Sequence, residues 1–170
     1  KETLGLSSAP VWGYSRRMQA QRVLVLNGFS AHVVPRAPDW GEHVRITGYW
    51  FPEDEDWQPP DGLREFIEAG PAPVFIGFGS MPIRDPQHTT AVVLDALRQS
   101  GQRAILHAGW AGIGGRELPE TVMRIEYAPY GWLFPRMAAV VHHGGSGTTA
   151  FGLRAGVPSL VVPFLFDQFY

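Results

Sequence analysis

The sequence predicts an α/β protein with a Rossmann-like parallel sheet and flanking helices, and three observations lead to that fold class. Short apolar runs of strand length recur between residues 74 and 163. Segments with helical periodicity separate some of these runs. A glycine-rich segment, His142–Thr148, stands between a predicted strand and a predicted helix. Strands that alternate with helices form parallel βαβ units, so we expect a sheet whose faces are covered by helices.

The predicted elements follow one another in a regular order. We expect strands over 22–27 and 44–49 in a first unit, and over 74–78, 103–107, 122–126, 139–142 and 159–163 in a second. A helix is expected over 86–100, where Thr90, Val93, Leu94 and Leu97 share one face and Gly101 follows the last turn. Shorter helical segments are expected over 132–135 and 147–155, the latter ending at Gly156.

An acidic, proline-rich segment divides the two units. Residues 51–61 contain five acidic residues and three prolines, a composition that resists both helix and sheet. We therefore assign residues 1–48 to the end of a first domain, 49–72 to an interdomain linker and 73–170 to a second domain. The chain starts at Lys1 and stops in the aromatic-rich stretch 164–170, so we expect both ends to be cut from a longer protein.

The composition excludes several classes of function. A formal net charge of -2 offers no basic surface for nucleic acid. Lys1 is the sole lysine, which excludes a P-loop, and no G-x-G-x-x-G follows the first strand of either unit, which disfavours a dinucleotide oxidoreductase. The absence of cysteine excludes disulfides and thiolate chemistry and suits a reducing compartment, so we expect a cytoplasmic location. We expect no transmembrane segment, because no apolar run approaches the roughly 20 residues that a span needs.

The loop His142–Thr148 carries the clearest chemical signal. Ligands of an open parallel sheet bind outside the carboxyl ends of its strands, and this loop follows such an end. Glycines at 144, 145 and 147 let backbone N–H groups and a helix N-terminus face an anion, which suits a diphosphate. His142, Ser146 and Thr148 could add side-chain donors. The alternative is an ordinary helix cap with core histidines, and we expect no metal on two adjacent histidines that point to opposite sides.

Two weaker clusters follow other strands of the second unit. Gly77, Gly79 and Ser80 could bring a second backbone segment and a hydroxyl to the same phosphates, although a tight turn explains them as well. Asp167 and Gln168 pair a carboxylate with an amide, a combination suited to vicinal sugar hydroxyls, although such a dipeptide is common on loop surfaces. Together with the phosphate loop, they point to a sugar diphosphate as the ligand.

The stretch Ala128–Tyr170 resembles the donor-binding domain of the GT-B glycosyltransferases of the UDP-glycosyltransferase superfamily. More narrowly, it resembles the sterol 3β-glucosyltransferase-like and glycopeptide-antibiotic glycosyltransferase-like enzymes. Residues 46–51, the acidic linker and Pro73–Met81 (PVFIGFGSM) agree in the same order, so the resemblance covers about residues 23–170. It implies the carboxy-terminal half of a two-domain enzyme, truncated at its own carboxy terminus.

The resemblance also implies roles for individual residues. The donor, UDP-glucose or a dTDP-sugar, would be held through its diphosphate by His142, Ser146, Gly147, Thr148 and Ser80. Its sugar would contact Asp167 and Gln168, and its base and ribose would lie near Ala128, Pro129 and Trp132. Ala150 stands where many relatives have a ribose-binding glutamate, and Gly131 where the sterol type usually has aspartate. The ribose contact therefore comes from elsewhere or is absent.

The predicted function is transfer of a hexosyl group from a nucleoside-diphosphate sugar to a hydroxyl of a sterol or other lipophilic acceptor. We expect inversion, no cofactor and no metal, with a general base in the missing amino-terminal domain. This chain alone should not catalyse transfer, and another copy or fragment of the same enzyme is an expected partner. The alternatives are a UDP-sugar epimerase of the same architecture and a noncatalytic module that binds nucleotide sugars.

Overall fold

The computed structural model describes residues 13–52, 56–109, 112–113 and 117–169, without the side chains of Tyr14, Ser15, Phe166 and Asp167. The chain divides into two compact units between Phe51 and Pro52. Each unit has its own parallel strands.

The first unit contains a helix and a parallel strand pair. Helix α1 (Tyr14–Ala20) precedes strands β1 (Val25–Asn27) and β2 (Val44–Ile46), which pair in parallel with Val25 opposite Val44. Both strands were predicted, with longer bounds, and α1 was not. Arg36 holds the connection between the strands, because its guanidinium donates hydrogen bonds to the carbonyl oxygens of Val44, Trp40 and Gly41 at 2.5, 2.6 and 2.8 Å.

The second unit is a doubly wound α/β structure. In chain order its regular elements are α2 (Asp61–Glu68), β3 (Val74–Gly77), α3 (Pro86–Ser100), β4 (Ala104–His107), β5 (Val122–Ile125), α4 (Tyr130–Leu133), β6 (Ala139–His142), α5 (Ser146–Ala155) and β7 (Ser159–Val161). Two 3₁₀ turns, Phe134–Arg136 and Phe166–Phe169, complete the described part. The predicted fold class is confirmed.

The strands of the second unit form one parallel sheet in the order β5-β4-β3-β6-β7, which we call the main sheet. Successive residues of β3 point to opposite faces, so Phe75 and Ile76 enter different cores. On the α5 face, Phe75 packs with Phe134 and Val140. On the α3 face, Ile76 packs with Leu106 and Leu97. Helices therefore cover both faces, as expected for parallel strands.

Helix α3 follows its sequence pattern closely. The Asp85 carboxylate caps the first turn by accepting the His88 N–H at 2.9 Å, and Gly101 ends the helix in the left-handed region at φ 65°. Thr90 and Leu97 are buried, as the periodicity predicted. Helix α5 likewise ends at Gly156, at φ 68°.

Helix α2 lies within the segment 49–72 that was assigned to an interdomain linker. The predicted linker residues 53–55 lie outside the described residues, but 61–68 form a helix whose Leu63 is 3% exposed. Arg103 fixes its end, because the guanidinium stacks 4.4 Å from the Phe66 ring centroid and donates to the carbonyl oxygens of Phe66 and Pro71. The apolar stripe of Leu63, Phe66 and Ile67 packs on the α5-face core. The domain limits themselves stay a prediction.

Among the described residues, no helix combines the length and the apolar character that crossing a bilayer requires.

Replacing Phe75 by alanine should lower the free energy of unfolding by about 3–5 kcal/mol, because the ring is fully buried against Tyr130 and Phe134. Phe169→Ala is the matched control, since that ring is 64% exposed, and it should change stability by less than about 0.5 kcal/mol. Urea denaturation followed by tryptophan fluorescence measures both. Equal losses in the two variants would contradict the described core.

Candidate functional site

The strand order of the main sheet creates a crevice between β3 and β6. From β3 the chain moves outward through β4 to β5, whereas β6 returns to the other side of β3 and leads outward to β7. The connections after β3 and β6 therefore diverge at a topological switch point, where open α/β sheets bind ligands. Gly77 and His142, the last residues of the two strands, are register partners. Both predicted phosphate loops thus start side by side.

The N-terminus of helix α5 lies at this edge of the sheet, shortly after the end of β6. Its N-cap is Gly145, which has no side chain to accept the first N–H groups of the helix. Ser146 and Gly147 in the first turn are both exposed. The N–H groups of this turn carry the partial positive charge of the helix N-terminus. This arrangement suits an anion, and the predicted role of the loop in binding a diphosphate stays a prediction.

The His143 ring lies between the two glycine loops. A Cβ on Gly79 would lie 2.8 Å from the Cε1 of His143, and a Cβ on Gly145 would lie 2.4 Å from its Nε2. The glycines are therefore needed to make room for the imidazole. Its Nδ1 is buried and finds no hydrogen-bond partner within the described part of the chain, and burial lowers the pKa of His143. Sequence reasoning did not single out His143.

His142 faces the opposite way, into the α5-face core. It is 0% exposed and lies two residues after Val140, on the same side of β6. Its Nδ1 accepts the Gly144 N–H at 3.1 Å, so the proton of the neutral ring sits on Nε2. Burial, and to a smaller extent His143, lowers the pKa of His142. Its role in phosphate binding stays a prediction, and its buried Nε2 has no partner among the described residues.

The remaining predicted phosphate ligands differ in their surroundings. Ser80 lies exposed in the loop after β3, and Ser146 is exposed at the start of α5. Thr148 is 9% exposed, and its hydroxyl shares a hydrogen bond with the Tyr130 phenol, whose pKa is raised by burial. Thr148 therefore joins α5 to α4, while the two serines face solvent.

Gln168 from the second predicted cluster lies beside the phosphate loops. Its Oε1 accepts the backbone N–H groups of Phe164 and Leu165 at 2.8 and 3.0 Å, and its Nε2 lies 3.3 Å from the Met81 sulfur. The Asp167 side chain lies outside the described residues, although its backbone belongs to the same 3₁₀ turn. The sugar-binding role of both residues stays a prediction.

The predicted base and ribose region follows β5. Ala128 and Pro129 are buried, and α4 begins directly after them. Trp132 is half-buried, with the Trp57 ring 5.1 Å away edge-on and the Arg136 guanidinium 4.3 Å from its ring centroid. Ala150, at the position of the missing glutamate, is 3% exposed in the core.

A third imidazole, His107, ends β4 at the same edge and was also missed. Its Nδ1 is buried and unpaired as far as the structure is described. Burial lowers the pKa of His107, and the nearby Glu126 opposes that shift in part. Within the ranges that the structure describes, no group of three or more histidine, aspartate or glutamate side chains could hold a metal ion.

Comparison with known proteins places these features in a family context. Residues 91–170 match the family described as "Erythromycin biosynthesis protein CIII-like, C-terminal domain". The chain is 48% identical over 145 residues to the sterol 3-beta-glucosyltransferase UGT80B1 of Arabidopsis thaliana, a match that covers 84% of this chain and 24% of that protein. It is 42% identical over 183 residues to the sterol 3-beta-glucosyltransferase of Neosartorya fischeri, covering 100% of this chain and 13% of that protein.

The chain thus spans a quarter or less of the length of these two relatives. Among solved structures, UGT89C1 of Arabidopsis thaliana aligns with a TM-score of 0.71 over 99% of this chain and 45% of that chain, at 21% identity. At that identity the likeness shows a shared fold. UGT89C1 has also been solved in complex with UDP. The resemblance to GT-B glycosyltransferases is confirmed.

Gly145→Ala should destabilise the protein by about 1–3 kcal/mol, because the new Cβ would displace the buried His143 ring. Gly147→Ala is the matched control, since nothing lies within 4 Å of a Cβ at that position. Alanine favours a helix over glycine, so this control should leave stability unchanged or raise it by up to about 1 kcal/mol. Denaturant unfolding compares the two. A neutral Gly145→Ala would contradict the described position of His143.

Stability should fall as the pH drops below about 6.5. Burial holds the pKa of His107, His142 and His143 below the 6.5 of a solvated imidazole, so the unfolded chain takes up protons before the folded chain does. Each contribution is complete above that pH and declines between it and the lower pKa of the folded state, by up to about 1.4 kcal/mol per pH unit for each histidine. Denaturation between about pH 8 and pH 5 measures the slope.

The control for this pH dependence is His143→Gln, which keeps a polar side chain of similar reach but cannot titrate. The variant should show a shallower slope than the unchanged protein over the same range. Identical slopes would contradict a lowered pKa of His143.

Proposed function

Because this chain is homologous to a segment of the sterol 3-beta-glucosyltransferases and shares the GT-B fold, we propose that its protein transfers a hexosyl group from a nucleoside-diphosphate sugar to a sterol hydroxyl. The chain supplies the donor-binding half. UDP-glucose is the donor we propose, since the relatives are named glucosyltransferases. Their names favour transfer over the epimerase and the noncatalytic module.

The observation that carries this proposal is the crevice between the loops after β3 and β6. The uncapped N-terminus of α5 offers N–H groups at one side, and the exposed Ser80 lies in the loop opposite. The His143 ring stands between Gly79 and Gly145, with its position fixed by their lack of side chains. A neutral imidazole there can donate one hydrogen bond to a phosphate oxygen. These groups together suit the diphosphate of a nucleotide sugar.

The order of the strands is also compatible with the positions proposed for the base and the sugar of the donor. The segment Ala128–Trp132 follows β5, which lies two strands from β3 in the main sheet. At about 4.8 Å per strand, the two positions are roughly 10 Å apart, a distance that a nucleoside diphosphate can span. A base near Ala128–Trp132 and phosphates at α5 are therefore compatible. Asp167 and Gln168 belong to the 3₁₀ turn that follows β7, and the Gln168 Nε2 lies 3.3 Å from the Met81 sulfur in the loop after β3, so this turn lies beside the proposed phosphate site.

The chemistry we propose is a single displacement at the anomeric carbon. The acceptor oxygen forms the new bond to that carbon while the bond to the β-phosphate oxygen breaks, which inverts the configuration. A general base outside this chain takes the acceptor proton. The α5 N-terminus and His143 stabilise the negative charge that develops on the departing diphosphate. No cofactor or metal takes part in this scheme.

The activity is tested on the full-length protein with UDP-glucose and a panel of sterols, with product detection by mass spectrometry. A steryl glucoside of configuration opposite to that of the donor is the expected result. Transfer with retention would contradict the single displacement, and conversion of UDP-glucose into another UDP-hexose without acceptor would favour the epimerase.

Donor binding is tested by titration calorimetry of single variants. His143→Ala should weaken UDP by about 1–3 kcal/mol, because a charge-assisted hydrogen bond is lost. Asp167→Asn should weaken UDP-glucose while leaving UDP nearly unchanged. His142→Ala shows whether the buried neighbour also acts on the nucleotide, and Thr149→Ala serves as the control on α5. Unchanged UDP affinity in His143→Ala would contradict the proposed phosphate contact.

A further inference from the structure

Three loops meet at Gln168 on the carboxyl edge of the main sheet. Its own 3₁₀ turn follows β7, its Nε2 lies 3.3 Å from the Met81 sulfur after β3, and its Cβ and Cα lie beside Gly144 after β6. We propose that Gln168 is a positioning residue that holds these loops in the geometry that the donor diphosphate needs. This inference rests on the proposed function, since it assigns the loops to the diphosphate site.

The first contact is made by the amide oxygen of Gln168. It accepts two backbone hydrogen bonds, from Phe164 at 2.8 Å and from Leu165 at 3.0 Å. Two converging N–H donors fix the orientation of the amide, because its nitrogen could not accept either bond. The side chain therefore closes the turn that leads out of β7.

The other two contacts connect that turn to the phosphate loops. Gly144 has φ 90°, and a Cβ there would lie 3.4 Å from the Cβ of Gln168 and 3.0 Å from the Val161 Cγ1. Gly144 is thus enclosed by β7 and Gln168 just before α5 begins. Met81 follows Ser80 in the loop after β3, and its sulfur lies 3.3 Å from the Gln168 Nε2. A shift of Gln168 would therefore reach both sides of the crevice.

Few donor and acceptor groups of the Gln168 amide are left to bind a sugar. An amide oxygen has two lone pairs, and both N–H groups of Phe164 and Leu165 already use them. One N–H of Nε2 points to Met81, which leaves one donor for a ligand. A pure sugar-contact role would leave UDP binding independent of Gln168, whereas a positioning role makes UDP binding depend on it.

The first arm of the test uses the ligand-free, full-length protein. Gln168→Met keeps the length of the side chain and removes the acceptor, so amide hydrogen exchange at Phe164 and Leu165 should become about tenfold faster. Gln168→Glu keeps an acceptor oxygen and should restore exchange to near the original rate. Gln99→Met, the same substitution at an exposed glutamine of α3, should change neither amide. Unchanged exchange in Gln168→Met overturns the proposal.

The second arm compares UDP with UDP-glucose in Gln168→Met by calorimetry. A positioning residue predicts that both affinities fall by the same factor, about five- to tenfold, so that their ratio stays constant. A loss confined to UDP-glucose would show a sugar contact alone and overturn the proposal. Glutamate is not used in this arm, because its charge would itself repel the diphosphate. If the unchanged protein bound neither ligand, the proposed function would fail, and the exchange arm would still decide whether Gln168 holds the turn.

Discussion

The parallel pairing of β3 with β6 is the constraint on which the rest of the candidate site depends. These strands lie next to each other although α3, β4, β5 and α4 separate them in the chain. Their pairing aligns Gly77 with His142 and so brings two loops that are 65 positions apart in sequence to one edge (142 − 77). Had β6 paired at the outside of β5, the same loops would not meet. The switch in strand order is therefore what turns two glycine-rich turns into one crevice.

Around that crevice, glycines leave the space that buried histidine rings occupy, and burial keeps those rings neutral. His142 fills the α5 face of β6, while His143 occupies the space that Gly79 and Gly145 leave open. Burial disfavours the protonated form of both rings. In the proposed function, an anion would therefore meet mainly oriented N–H dipoles rather than full charges, and such dipoles need no reorganisation when negative charge develops.

Sequence reasoning predicted the strands of the main sheet from their short apolar runs. It predicted α3 from its apolar face and Gly101, and α5 from the glycine that ends it, Gly156. It missed α1 and α2, since short helices stabilised by packing carry little local signal. The acidic residues and prolines ahead of α2 indicated a linker, so the apolar face formed by Leu63, Phe66 and Ile67 was not recognised as part of a helix. Alternation along β6 could show that His142 and His143 face opposite ways, but not which of them faces the crevice.

The contacts of Gln168 also could not be predicted from the sequence. A loop glutamine can bind a ligand or its own backbone, and local sequence does not distinguish the two. The choice depends on where the Phe164 and Leu165 N–H groups point after β7, which is a property of the folded turn. The resemblance supplied a role for Gln168 but no account of what holds it in place.

The most direct measurement of the central claim is a crystal structure of the full-length protein with UDP bound. The account predicts that the diphosphate lies between the loops after β3 and β6, within hydrogen-bond distance of the first-turn N–H groups of α5 and of the His143 ring. A diphosphate bound elsewhere on the protein, with that crevice filled by its own side chains, would contradict it.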